Sequence, residues 1–133
     1  MSAELTMHTI LSAAAGLTAL VGTRIYEDTW PATGAAGVAT TFPLVVYQRV
    51  PTGEMIQPVT GAVIATDARF QVKAYAQTAG GARDVADQIV TALVAGIGTA
   101  VDVTMMGRWG TYEPDSELFS LIVECRLLIA GAA

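Results

Sequence analysis

The sequence predicts a single α+β domain of order αββαββ, a four-stranded, mainly antiparallel sheet with two helices packed on one face. Three observations carry this. From Asp67 to Tyr75 the residues alternate, Phe70, Val72 and Ala74 on one side and Arg69, Gln71, Lys73 and Tyr75 on the other, the period of a strand wet on one face. After Gln77 the step lengthens to three and four, and Val85, Ala86, Ile89, Ala92 and Leu93 form the apolar stripe of an amphipathic helix. Connections are short where antiparallel neighbours need them, and 133 residues suit one core and one domain, 1–133.

In chain order, Ser2 can cap a first helix running to about Val21, with Leu5 or Met7, Ile10, Leu11, Ala14, Leu17 and Val21 as its buried stripe and Gly22 as its stop. Leu5 to Thr23 carries no formal charge. It is nevertheless interrupted by Thr6, His8, Thr9, Ser12 and Thr18 and preceded by Glu4, so neither a membrane span nor a signal peptide is expected. Residues 28–41 are rich in Gly, Ala and Thr and show no period. They are expected to be a mobile or partner-ordered loop, anchored by Trp30 and ending at Phe42.

The run FPLVVYQRV reads as a strand, with Pro43 at its entry and Pro51 closing it, which suggests a sheet edge or a sharp turn. Residues 52–66 form a second expected loop or bent hairpin of open register, with Met55 and Ile56 as its apolar anchors. Thr78 is the natural N-cap of the second helix, and Gly96 and Gly98 its stop. From Val101 to Trp109 an extended pattern sets Val103, Met105 and Gly107 against Thr104, Met106 and Arg108. A turn at Glu113–Ser116 leads into the last strand. There Phe119, Leu121, Val123, Cys125, Leu127 and Ile129 face the core, opposite Ser120, Ile122, Glu124 and Arg126. Arg69, Lys73, Glu124 and Arg126 then share the polar face, as cross-strand pairs worth ~0.2–1 kcal/mol each or as intersubunit contacts.

Composition narrows the function. The net charge of -5, with seven basic residues scattered singly, is the wrong sign for a protein that grips nucleic acid. Hydrophobic residues make up 53% of the chain and there are 13 glycines besides. About 45–50% including glycine is usual, so apolar surface is left over for burial between subunits. Cys125 is the single cysteine, which excludes an internal disulfide.

No catalytic, cofactor-binding or metal-binding set emerges. His8 has only Glu4 at helical spacing and reads as a structural histidine. Cys125 alternates onto the apolar face, where a small buried hydrophobe is the simpler account. The glycines match no phosphate loop or dinucleotide fingerprint. Tyr47, Tyr75, Trp109 and Tyr112 lack the basic neighbours of a base-stacking platform and suit a core or an interface. The residues alone give a small α+β subunit that is not an enzyme.

Four stretches in order, LSAAAGLTALVGTRIY, FPLVVYQRV, DARFQVKAYAQTAGGARDVADQIVTAL and ELFSLIVECRLLI, resemble the tail-terminator or tail-completion family of long-tailed bacteriophages and phage-like gene transfer agents. The resemblance covers most of the chain and leaves out residues 31–41 and 55–65. It implies a structural virion protein without cofactors that forms a ring, commonly of six copies, on the head-proximal end of the tail tube. Such a ring ends tube polymerisation and joins the tail to the head. Its partners would be further copies of itself, the tail tube protein and the head-completion or neck protein, with DNA passing through the lumen and no membrane involved. The protein would then reside at the neck end of the virion tail, after assembly in the host cytoplasm. Six copies at -5 would carry about -30, a charge that discourages DNA from sticking. The alternatives are another neck or tail-tube component of the same virion, a small cytosolic ligand-binding domain or enzyme, and a nucleic-acid-binding module.

Overall fold

The computed structural model describes residues 3–29, 41–50, 55–56, 65–96, 102–114 and 117–130. The elements are α1 (Ala3–Ala13), α2 (Ala15–Val21), β1 (Ile25–Glu27), β2 (Leu44–Val50), β3 (Met55–Ile56), β4 (Ala65–Ala76), α3 (Ala79–Ala95), β5 (Asp102–Glu113) and β6 (Leu118–Ala130). The α+β class and the packing of helices on one sheet face hold. The sheet, however, has five strands in the order β1-β2-β4-β6-β5, with the two-residue β3 also paired to β4. It is mixed, because β1 runs parallel to β2 while the other pairs are antiparallel.

Three expectations are corrected. The first helix is two, α1 and α2, bent by 85° at Ala14, whose ψ of 106° is extended. The bend lets Leu17 and Val21 enter the core from a second direction, beside Met7, Ile10 and Leu11. Leu5 lies outside the stripe. The strand from Leu44 is no edge: β1 takes that position, since Ile25–Glu27 pairs with Val45–Tyr47 and the Val45 N–H donates to the Arg24 carbonyl at 3.0 Å. In β5, a bulge between Met105 and Gly107 reverses the alternation, so Arg108, Gly110 and Tyr112 turn to the helix side and Gly107, Trp109 and Thr111 away from it.

The central unit is as the periodicities require. Phe70, Val72 and Ala74 of β4 and Val123, Cys125 and Leu127 of β6 are fully buried beneath Val85, Ala86, Ile89, Ala92 and Leu93 of α3. The Gly81 N–H donates to Thr78 Oγ1 at 3.0 Å, which caps α3 where the period changes. Phe70 is the largest fully buried side chain among the described residues, and its ring lies 6.5 Å from that of Tyr47.

Candidate functional site

Among the described residues the helices occupy one face of the sheet, and the register defines what the other face presents. Tyr26, Val46, Lys73, Ile122 and Trp109 form one row across all five strands. A neighbouring row holds Gln48, Gln71, Glu124 and Gly107, and the next Val50, Arg69, Arg126 and Thr104. The face therefore passes from an apolar and aromatic band to a charged one.

The sequence places Arg69, Lys73, Glu124 and Arg126 together on this face, and the structure resolves how they pair. Arg69 ion-pairs with Glu124, while Arg126 Nε donates to Asp67 Oδ1 at 3.0 Å and its Nη2 meets Oδ2. Glu124 is 8% exposed despite its charge, so its pairing with Arg69 is what makes that burial tolerable. Lys73 stands half-buried between Val46 and Ile122 with no ion-pair partner among the described residues.

The loop anchors do not converge. Phe42 is half-buried just ahead of β2, whose first residue pairs with Tyr75, whereas Met55 and Ile56 pair with Thr66 and Ala65. Tyr75 and Thr66 lie nine positions apart along β4, roughly 30 Å. Trp30 lies outside the described residues, as do 31–40, 51–54 and 57–64.

The edge strand β5 supplies exposed apolar groups that periodicity alone does not place. Met105, Met106, Trp109 and Tyr112 are all more than a third exposed. The bulge sets Trp109 on the helix-free face beside Ile122 and brings Arg108 to the helix side, where its Nη1 meets Asp87 Oδ1 of α3 at 2.7 Å. The consecutive Met105-Met106-Gly107 was the available signal, since two large apolar residues in a row cannot both obey a period of two.

Two concavities lie toward opposite ends of the sheet. A groove of about 420 Å³ separates the start of α3 from the β5–β6 hairpin, lined by Ala79, Ala82, Arg83, Gly110, Tyr112 and Phe119 among others. The Tyr112 and Phe119 rings meet along it with centroids 4.6 Å apart, tilted by 47°. A notch of about 320 Å³ lies between α1 and β1, lined by Glu4, Leu5, His8, Glu27 and Tyr47. There Tyr47 Oη and His8 Nδ1 are 3.3 Å apart, which gives the histidine a structural partner. Burial, and then Glu27, Glu4 and Asp28, push the Tyr47 phenol above its usual range. At the centre of the sheet Cys125 is fully buried and its thiol is pushed up to about 12, the behaviour of a packing residue. Among the described residues no three His, Cys, Asp or Glu side chains gather as metal ligands, and no single helix is long and apolar enough to cross a membrane.

The model of the family described as "Tail completion protein gp17" matches residues 6–130. The chain belongs to that family. It is a structural protein of phage-type tails. A chain in the structure titled "Virion of native gene transfer agent (GTA) particle" is similar in fold, with a TM-score of 0.75 and 18% identity over 98% of this chain and 96% of that one. No curated protein matches in sequence. In this tail completion protein, then, the features of interest are contact surfaces: the exposed β5 edge, the two-band sheet face, the groove and the notch.

Proposed function

We propose that this tail completion protein forms a ring, six copies being the expected number, that caps the head-proximal end of the tail tube. There it ends tube polymerisation and offers the surface on which the head-completion protein docks, with DNA passing through the centre. The observation that carries this reading is the placement of exposed apolar groups. Met105, Met106, Trp109 and Tyr112 stand exposed along one long edge strand, Trp109 on the helix-free face and Met105 and Tyr112 on the helix side, so the edge of the rigid unit presents a ready contact surface. The action is geometric: one face of the ring matches the last tube ring, and the other refuses a further tube subunit. Residues 28–41 and 52–66, with Trp30, Phe42, Met55 and Ile56, are proposed to add contacts to tube and neck, and Lys73 to neighbouring copies.

The test is to assemble particles without this chain and to add the purified chain back to tail tubes. The expected result is tails of irregular length unattached to heads, with added protein seen at one tube end only. Tails of normal length joined to heads in its absence would overturn the reading. A long open strand edge also suits a tube subunit, and purified chain that polymerises into tubes by itself would favour that second reading.

A further inference from the structure

The groove beside α3 and the notch beside α1 differ in charge. Arg83 is the charged residue lining the groove, exposed and without an ion-pair partner among the described residues, above an apolar floor of Ala79, Ala82 and Gly110. One wall is the tilted Tyr112–Phe119 ring pair, in which Tyr112 is 48% exposed. The notch reverses this pattern. Leu5 lines it and is 53% exposed, alongside Glu4 and Glu27, and Asp28 lies close enough to raise the Tyr47 phenol. An exposed leucine flanked by carboxylates thus complements an apolar groove that carries a guanidinium.

Their positions in the sheet add a geometric reason. β1 begins the strand order and β5 ends it, so the notch and the groove lie toward opposite lateral ends of one protomer. A contact between two different surfaces at opposite ends is heterologous, the kind of contact that makes a ring when its rotation closes, whereas a two-fold dimer needs one self-complementary patch.

We infer that the groove receives a second copy of this chain, with Leu5 seated against Tyr112 and with Glu4 and Glu27 facing Arg83. This rests on the ring reading above and names its subunit contact. The apolar pair would form the desolvated centre of the contact and the charges its rim.

The test uses the full chain carrying both Leu5→Cys and Tyr112→Cys, oxidised mildly after assembly on tail tubes. Both positions are exposed and native Cys125 is buried, so the new thiols report the contact. The expected result is a ladder of covalent multimers ending at the ring size, and none from either single variant. In parallel, Arg83→Glu should weaken self-association at least about tenfold, and adding Glu27→Arg should recover most of the loss, with unchanged thermal melts showing that the fold is intact. Rings without a ladder, or Tyr112→Cys linking to a tube or neck protein instead, would overturn the contact and leave the ring reading standing. Failure of the unaltered chain to form rings on tubes would overturn both.

Discussion

Arg69 on β4 stands directly opposite Arg126 on β6, two like charges in register on the helix-free face of the sheet. Each is neutralised by a carboxylate two residues away along a strand. Arg69 reaches diagonally to Glu124, and Arg126 to Asp67, so each arginine meets a carboxylate on the facing strand. The two diagonal pairs offset the repulsion of the register pair, and loss of one carboxylate leaves an uncompensated arginine beside the other.

Glu124→Gln is therefore expected to destabilise the fold by about 1–3 kcal/mol, because the lost partner is buried and one arginine loses its counter-charge. Asp87→Asn also breaks an ion pair, to Arg108, but Asp87 is more than half exposed and the cost should stay below ~1 kcal/mol. Urea denaturation of both variants checks the order. An equal or larger loss for Asp87→Asn would contradict it.

Gly96 ends α3 against Ile10 of α1. A Cβ there would come within 2.8 Å of Ile10 Cγ2 and within 3.0 Å of two further atoms of that buried side chain. Gly96→Ala should cost about 1–3 kcal/mol through overpacking. Gly80, in the first turn of α3, has nothing within 4 Å of such an atom, and Gly80→Ala should be neutral or stabilise by up to ~1 kcal/mol. Thermal or chemical melts of the two variants would reveal opposite signs.

The Cys125 thiol, pushed up to about 12 by burial and then by Glu124, fixes a direction of alkaline sensitivity. The unfolded thiol ionises near ~8.5, so above that pH the native state holds a proton the unfolded state has released. Its contribution is therefore complete below about pH 8.5 and is lost toward pH 12 at up to ~1.4 kcal/mol per unit. Tyr47 and Tyr75, both raised chiefly by burial, add to the loss above about pH 10. Between pH 8 and pH 10 the native chain should lose about 2 kcal/mol more than Cys125→Ala. Equal losses, measured by denaturation at both pH values, would rule the account out.

Trp109 and Met106 test the contact surface without testing the core. Trp109→Ser and Met106→Ser change exposed positions on an edge strand, and each should shift stability by no more than about 1 kcal/mol. Head-to-tail joining should fall sharply in the double variant. Joined particles at native yield from a chain lacking both side chains would show that β5 lies outside the assembly contacts.

The elements readable in advance are those whose signals are local. The alternation through Phe70 and Val72, the cap at Thr78, the stripe from Val85 to Leu93 and the alternation from Leu121 to Ile129 each follow from neighbours along the chain, and each is realised. The meeting of Arg69 with Glu124 was also legible, since it needs only two correctly faced strands. Its diagonal geometry was not, because register across 55 residues is set by the pairing of whole strands.

The remaining features belong to packing. Ala13-Ala14-Ala15 is a helix-favouring run, yet the helix breaks there. Gly16 lies against Gln88 and Gly96 against Ile10, and the bend brings Leu17 and Val21 into the core. β1 is three residues long and exists only because β2 offers it a parallel edge. The bulge at Met106 sends Trp109 to one face and Arg108 to the other, a choice made by the β6 register and by Asp87 on a distant helix. Local periodicity thus determined which residues form the sheet-and-helix unit and which side of it is apolar. Contacts between elements far apart in sequence settled its edges, and with them the surfaces it offers a partner, because the energy that sets an edge comes from distant neighbours that no local pattern encodes.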